Sequence, residues 1–150
     1  MNDAFWLRIG AVWGFLAVAM GAFGAHGLKP RIEAMGQLAN FQTAAQYHMY
    51  MALALVAVGL LQANGRSGAA LSVAGWGFLI GSTIFSGSLY VLSLTGLKWL
   101  GAITPIGGTV ILIGWIALAV AAGGTAKPVD AAPPAEALGA REPADYSRGL

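Results

Sequence analysis

The chain has 150 residues, of which 57% are hydrophobic and only 9% are charged, and its formal net charge is +2. Soluble domains carry about 25% charged residues, so this chain has too few polar groups to cover a surface in water. It contains no cysteine, which excludes disulfides, thiolate metal sites and cysteine nucleophiles. Its basic residues are scattered singly, without the clustered footprint of a nucleic-acid-binding protein. The expected partner is therefore the lipid bilayer, and nucleic acid is not one.

Four apolar segments are long enough to cross a membrane. A helix needs about 20 apolar residues to span the hydrocarbon core, and the only charged side chains from 34 to 126 are Arg66 and Lys98. The predicted spans cover residues 5–25, 41–63, 68–94 and 100–123. Short turns join the second span to the third and the third to the fourth, so these neighbours should be antiparallel. The sequence predicts an all-α fold, an integral membrane bundle of four transmembrane helices.

The segments outside the spans carry their own signals. The first span follows Asn2 and Asp3 instead of a basic stretch, so we expect a retained helix and not a cleaved signal peptide. Residues 30–35 can form a short helix at the membrane interface, and Asn40 is the expected cap of the second span. Residues 124–150 are rich in Ala and Pro and have no helical or strand period, which predicts a disordered tail.

Small residues form a stripe along the first predicted span. Their spacing alternates between four and three, which places them on one helix face and lets another helix approach closely. The members of the stripe are Gly10, Gly14, Ala17, Gly21 and Gly24. The stripe either packs against a helix of the same chain or docks a second copy or another membrane subunit.

Polar residues on the second, third and fourth spans form a second pattern. Gln42, Gln46 and Tyr50 are four apart and share a helix face, and we expect that face to point inward because lipid offers no hydrogen-bond partner. Together with residues of the later spans they predict a polar seam of Gln42, Gln46, Tyr50, Ser86, Tyr90 and Thr104. The residues of this seam either form hydrogen bonds that hold the helices together or line a small-molecule or ion pathway.

His26 and His48 are the two histidines of the chain. His26 stands at the end of the first span, where it can cap the last carbonyls, and His48 is an ionisable group within a span. As a pair they are candidates for binding haem or a quinone. His48 lies eight residues past Asn40, which corresponds to about 12 Å along the helix. This distance is evidence against His26 and His48 lying at the same depth in the membrane.

Catalytic groups are missing from the predicted spans. No Asp or Glu lies between residues 34 and 126, so paired general acid–base chemistry lacks its carboxylates. We therefore predict no catalytic residue, no metal site and no resident cofactor, and we do not expect an enzyme.

Four motifs occur in this order: Gly21-Ala-Phe-Gly-Ala-His-Gly-Leu28, Phe41-Gln-Thr-Ala-Ala-Gln-Tyr47, Phe85-Ser-Gly-Ser-Leu-Tyr90 and Thr104-Pro-Ile-Gly-Gly-Thr109. Over residues 5–123 the chain resembles the small bacterial inner-membrane proteins of the YgdD/YwdK type, called domain of unknown function 423. The resemblance implies a four-span fold in the bacterial inner membrane without an established activity. Its characteristic positions correspond to His26, Gln46, Phe85, Ser86, Gly87, Ser88, Thr104 and Pro105. It also implies a histidine where this chain has Met51, which leaves a histidine cluster depleted here.

Basic residues near the span ends are balanced between the two sides of the membrane. Arg8, Arg66 and Lys127 lie on the side of the termini, and Lys29, Arg31 and Lys98 lie on the other. The positive-inside rule counts such residues and gives no preference here. The tail and the N-terminal amine therefore decide the orientation, and we expect both termini in the cytoplasm.

The favoured function is a non-enzymatic homo-oligomer or accessory subunit of a larger membrane complex. The alternatives are the pathway along the polar seam and the haem or quinone site at His26 and His48.

Overall fold

The computed structural model describes residues 4–123, and this part of the chain is built from helices. They are α1 (Phe5–Ala25), α2 (Lys29–Ala34), α3 (Leu38–Ala63), α4 (Ala69–Thr95) and α5 (Thr104–Gly123), with a 3-10 helix at Lys98–Ala102 before α5. α1, α3, α4 and the segment Lys98–Gly123 are each long and apolar enough to cross a membrane. The predicted all-α bundle of four transmembrane helices is confirmed. The tail predicted at 124–150 lies outside the described residues.

The first connection contains the short helix that residues 30–35 suggest, and it is docked onto the bundle. Pro30 lies in the first turn of α2, where its missing N–H leaves no bond unmade. The Ile32 side chain is fully buried, and Arg31 donates from Nε to the carbonyl oxygen of Leu94 at 3.0 Å. α2 is thereby held against the end of α4.

The start of α3 differs from the sequence prediction. Asn40 lies inside the helix and donates from its amide to Oε1 of Gln37, the residue that precedes α3. The prediction that Asn40 caps this helix is wrong. Gly36 adopts a left-handed conformation with φ of 65°, which turns the chain early enough for α3 to begin at Leu38.

α4 is the central helix of the bundle. Of its most apolar 18-residue window 56% is buried, against 17% for α1 and 22% for the last span. α1 packs along α3, α5 packs along α4, and α3 and α4 pack against each other. The outer faces of α1 and α5 are therefore the surfaces most open to lipid.

The glycine stripe of α1 is used mainly inside the chain. A Cβ atom on Gly10 would lie 2.8 Å from the backbone nitrogen of Val56, and one on Gly24 would lie 2.0 Å from the Phe41 ring. Gly59 of α3 meets Leu7 of α1 in the same way, at 2.6 Å from the Leu7 nitrogen. Of the two interpretations of the stripe, packing within the chain accounts for these positions. Gly21 differs, since no atom lies within 4 Å of its Cβ position.

α4 and α5 approach each other through glycines on both helices. A Cβ atom on Gly77 would lie 2.9 Å from Cα of Gly114, and one on Gly107 would lie 2.5 Å from the backbone nitrogen of Phe85. Backbone cannot move aside cheaply, so these positions require the absence of a side chain. The two helices thus pack backbone against backbone.

Candidate functional site

A small cavity lies between α1, α3 and α4. Its volume is about 140 Å³, and it is lined by Trp13, His48, Ser82, Thr83, Ser86, Gly87 and Tyr90. His48 is 10 positions past Leu38, the first residue of the 26-residue helix α3, which corresponds to about 15 Å along an axis of about 39 Å. The cavity is therefore within the membrane-spanning part of the bundle. We call it the His48 cavity.

Hydrogen bonds fix part of the cavity wall. Trp13 donates from Nε1 to Oγ of Ser82 at 3.0 Å, and Ser82 donates in turn to the carbonyl oxygen of Phe78 at 2.6 Å. Without Ser82, the indole N–H of Trp13 would have no hydrogen-bond acceptor in this apolar environment. The pair joins α1 to α4 and sets the Trp13 ring edge-on to the His48 ring, with centroids 5.1 Å apart.

His48 is held by the aromatic residues around it. The Tyr90 hydroxyl lies 3.4 Å from His48 Nδ1, and the two rings meet edge to face with centroids 6.1 Å apart. Only 7% of the His48 surface is exposed. Its second ring nitrogen, Nε2, is buried and has no hydrogen-bond partner among residues 4–123.

Ser86 is the second residue of the cavity with an unmade hydrogen bond. Of the four buried serines of α4, Ser82, Ser88 and Ser93 each donate to a carbonyl of their own helix. Ser86 is 2% exposed, and its Oγ has no partner in the described part of the chain. A buried polar group left in this state costs about 1–3 kcal/mol. The cavity wall therefore carries two unsatisfied groups from two different helices.

The predicted polar seam is divided by the structure. Ser86 and Tyr90 line the His48 cavity, whereas Thr104 lies 2.9 Å from Ser88 in a separate contact between α4 and the start of α5. The remaining members, Gln42, Gln46 and Tyr50, are exposed on the outer face of α3.

The expected inward direction of Gln42, Gln46 and Tyr50 is wrong for the single chain. Larger apolar contacts decide how α3 is rotated, because its buried face carries Phe41, Ala44, His48, Met51 and Leu55. A continuous pathway along all six seam residues is accordingly not formed within residues 4–123.

The two histidines are far apart. His26 is exposed at the end of α1, and its backbone N–H, not its ring, closes the helix by donating to the Ala22 carbonyl at 3.1 Å. His48 lies beside Trp13, and the 13 positions from Trp13 to His26 correspond to about 20 Å along α1. A haem or quinone bound by both rings is therefore excluded by this geometry. Within residues 4–123 no three side chains of His, Asp or Glu lie close enough to hold a metal ion.

Trp13, Ser82 and Thr83 line the cavity but are absent from the predicted seam, and Trp13 is the one on a helix outside that seam. The sequence does contain an indication of its role, because the indole N–H of a tryptophan in the middle of a span needs a hydrogen-bond acceptor. Finding that acceptor requires knowing that α1 lies beside Ser82 of α4, and spacing within one helix does not give this information.

The second feature is a groove on the outside of the bundle, between the end of α1 and the beginning of α3. Its volume is about 380 Å³, and it is lined by Gly21, Gly24, Ala25, Leu38, Phe41, Gln42, Ala45 and Gln46. We call it the α1/α3 groove. The side-chain carboxamides of Gln42 and Gln46 have no hydrogen-bond partner among residues 4–123, and both residues are exposed.

Gln46 lies at hydrocarbon depth. It is eight positions past Leu38, about 12 Å along the helix, and the helix exceeds the hydrocarbon thickness of about 30 Å by only about 9 Å. Even if half of that excess lies outside the hydrocarbon at this end, the Gln46 backbone is several ångströms inside it. An exposed carboxamide at this depth faces lipid in the single chain.

Comparison with known proteins places this architecture in a family. Residues 20–108 match the family model described as "Protein of unknown function (DUF423)". The UPF0382 membrane protein YwdK of Bacillus subtilis is 46% identical over 114 residues, which cover 76% of this chain and 92% of that protein. A UPF0382 membrane protein of Haemophilus influenzae is 45% identical over 114 residues, 76% of this chain and 90% of its own length.

The comparison with solved structures gives no significant match. The family assignment rests on the match of more than half of the chain and on relatives that it covers almost from end to end. The resemblance seen in the four sequence motifs is confirmed. The chain is a multi-pass membrane protein that belongs to the family of proteins of unknown function called DUF423.

Proposed function

We propose that the protein is a non-enzymatic membrane protein that works as an assembly of its own copies, joined through the α1/α3 groove. The observation that carries the proposal is the carboxamide of Gln46, which is exposed at hydrocarbon depth without a partner in its own chain. Lipid tails cannot donate or accept hydrogen bonds, so a partner protein is the natural source of the missing contacts.

The shape of the groove supports close contact with another helix. Gly21 has no atom within 4 Å of its Cβ position, so the backbone of a neighbouring helix can approach there. Gln42 and Gln46 stand on the wall of the same groove. Tyr50, which is 53% exposed, continues their line along α3. Close packing and hydrogen bonding, the two forces that associate helices in lipid, are thus offered side by side.

A second copy of the chain is the occupant that the groove fits. A carboxamide both donates and accepts hydrogen bonds. Most homodimers have a twofold axis, and the same glutamine from each of two copies can form hydrogen bonds with its equivalent across such an axis. The exposed face of α5 carries no carboxamide. It presents apolar residues such as Leu112, Ile116 and Val120, together with Trp115 and with Thr109, whose hydroxyl already donates to a carbonyl of its own helix. That face is suited to lipid.

The absence of carboxylates supports a role without catalysis. No Asp or Glu lies between residues 34 and 126, so the spans have no carboxylate to act as general acid, base or proton relay. We also place the protein in a bacterial inner membrane with both termini in the cytoplasm. Fusing green fluorescent protein or alkaline phosphatase to the C-terminus tests this orientation. Fluorescence without phosphatase activity is expected, and the reverse contradicts the orientation.

Cysteine cross-linking in native membranes tests the assembly. The chain has no native cysteine, so Tyr50→Cys introduces a single thiol on the line of the proposed contact and leaves both glutamines in place. Ile116→Cys is the matched control, because Ile116 is 66% exposed and lies the same number of positions into α5 as Tyr50 into α3. We expect a disulfide-linked dimer of the full chain for Tyr50→Cys and none for Ile116→Cys.

Other outcomes of this experiment contradict self-association. Equal cross-linking of both variants indicates random collision in the bilayer, and no dimer for either variant leaves the groove without a second copy. A disulfide adduct between the Tyr50→Cys variant and a different protein identifies an accessory subunit of a larger complex instead of a homo-oligomer.

A further inference from the structure

We propose that the His48 cavity is a binding site for a small, uncharged, lipid-soluble molecule with a flat ring and a carbonyl group, the class to which quinones belong. The site is formed by α1, α3 and α4 of one chain. It therefore needs no second copy and stands independently of the proposed assembly.

The unsatisfied polar atoms indicate that the ligand makes hydrogen bonds. Nε2 of His48 and Oγ of Ser86 are buried without partners, and both side chains line the same cavity. The other three buried serines of α4 donate to their own helix, so the unused hydroxyl of Ser86 is specific to this position. A ligand oxygen can accept a hydrogen bond from a serine hydroxyl or an imidazole N–H.

The rest of the wall restricts the ligand to an uncharged ring compound. No carboxylate, Lys or Arg lines the cavity, and a bare charge at this depth would be strongly unfavourable. Three aromatic rings, those of Trp13, His48 and Tyr90, contribute to the wall. An apolar cavity of about 150 Å³ holds one benzene molecule, so about 140 Å³ suits a single six-membered ring.

The rim of the cavity opens toward the bilayer, which requires a lipid-soluble ligand. Thr83 is exposed and Gly87 is half-buried on α4, and both border the cavity. At this depth an exposed residue faces the bilayer, so entry is from the lipid phase. Gly87 has no atom within 4 Å of its Cβ position, which leaves open space beside the rim.

Equilibrium binding of tritiated 2,6-dimethyl-1,4-benzoquinone, an uncharged single-ring quinone, tests the site. The full chain is placed in lipid nanodiscs and bound probe is measured by scintillation proximity, with empty nanodiscs subtracted for partitioning into lipid. Ser86→Ala and His48→Phe each remove one hydrogen-bonding group, and Gly87→Leu fills the rim. Ser93→Ala is the matched control, because Ser93 is a buried serine of the same helix whose hydroxyl already donates to Leu89.

We expect saturable binding to the natural sequence that the unlabelled dimethylbenzoquinone displaces. The dissociation constant should rise about tenfold in Ser86→Ala and in His48→Phe, the effect of one lost hydrogen bond. Binding should be lost in Gly87→Leu, and Ser93→Ala should match the natural sequence. Thermal unfolding of each variant shows that it is folded. If His48→Phe does not fold, Ser86→Ala and Gly87→Leu still decide the matter.

Two results overturn the proposal. One is the absence of any saturable component above empty nanodiscs, which is the outcome expected if the cavity holds only water. The other is an equal affinity for the natural sequence, Ser86→Ala, Gly87→Leu and Ser93→Ala, which would place the bound quinone elsewhere on the protein.

Discussion

Trp13 of α1 and Ser82 of α4 are joined by a hydrogen bond of 3.0 Å between the indole Nε1 and the serine Oγ. This bond connects the first span to the central helix, although the two residues are 69 positions apart. It also sets the Trp13 ring against His48. The wall of the His48 cavity therefore depends on a polar contact between helices that are not neighbours in sequence.

A double-mutant cycle measures this contact. Ser82→Ala leaves the indole N–H without an acceptor in lipid, and Trp13→Phe removes the donor. We expect the two substitutions to be coupled by about 1 kcal/mol in the free energy of unfolding, the usual size for a hydrogen bond between membrane helices. Titration with sodium dodecyl sulfate in mixed micelles measures it. Fully additive effects would show that the bond does not contribute to stability.

Two glycines of the α1 stripe should respond differently to the same substitution. A Cβ atom on Gly10 would lie 2.8 Å from the backbone nitrogen of Val56, whereas one on Gly14 would meet only Cβ of Ala52, at 3.8 Å. Overpacking costs about 1–3 kcal/mol, more than the helix propensity that alanine adds. We expect Gly10→Ala to lower the free energy of unfolding by up to about 2 kcal/mol and Gly14→Ala to leave it unchanged or slightly higher. Equal effects would contradict the α1–α3 packing.

Adjacent glycines of α5 provide the corresponding test for the α4–α5 contact. A Cβ atom on Gly107 would lie 2.5 Å from the backbone nitrogen of Phe85, whereas one on Gly108 would lie 3.7 Å from the Phe85 ring. Gly107→Ala must push the two helices apart, and Gly108→Ala makes an ordinary contact. We expect a clearly lower melting temperature for Gly107→Ala alone. A similar decrease for both variants would mean that α5 sits in a different rotation.

Arg66 connects the turn between α3 and α4 to the end of α5. Its Nη1 donates to the carbonyl oxygens of Ala121 and Ala122 at 3.0 and 2.7 Å, groups that have no partner within their own helix. Arg66→Gln should therefore increase amide hydrogen exchange in the last turn of α5. Arg8→Gln, which changes an exposed residue on the same side of the bundle, is the control. Unchanged exchange in Arg66→Gln would show that the contact does not hold the helix end.

The four spans were predictable because each is a long apolar segment without acidic groups, and hydrocarbon leaves a backbone of that composition few options except a helix. The rotation of α3 about its own axis could not be predicted. Its polar residues suggested that Gln42 and Gln46 face inward, but Phe41, Ala44 and Leu55 pack into the core and turn the glutamines outward.

The site was predictable only in part for a related reason. His48, Ser86 and Tyr90 could be singled out because polar side chains are rare within spans. The contribution of Trp13 depends on which helices are neighbours. α1 also contacts α4 through Trp6, whose ring would lie 2.4 Å from a Cβ atom on Gly75, so this approach requires a glycine on α4. Pairing of this kind follows from three-dimensional packing and not from spacing along one helix.

The most direct test of self-association through the α1/α3 groove is the mass of the assembly that is released from native membranes. Native mass spectrometry of the full chain, and of the double variant Gln42→Leu with Gln46→Leu, compares an intact α1/α3 groove with one that lacks both carboxamides. Both substituted residues are exposed, so the fold of the single chain should be unchanged. We predict a dimer or larger homo-oligomer for the natural sequence and a monomer for the double variant. A natural sequence that is monomeric at every concentration, or a double variant that assembles equally well, would contradict the account.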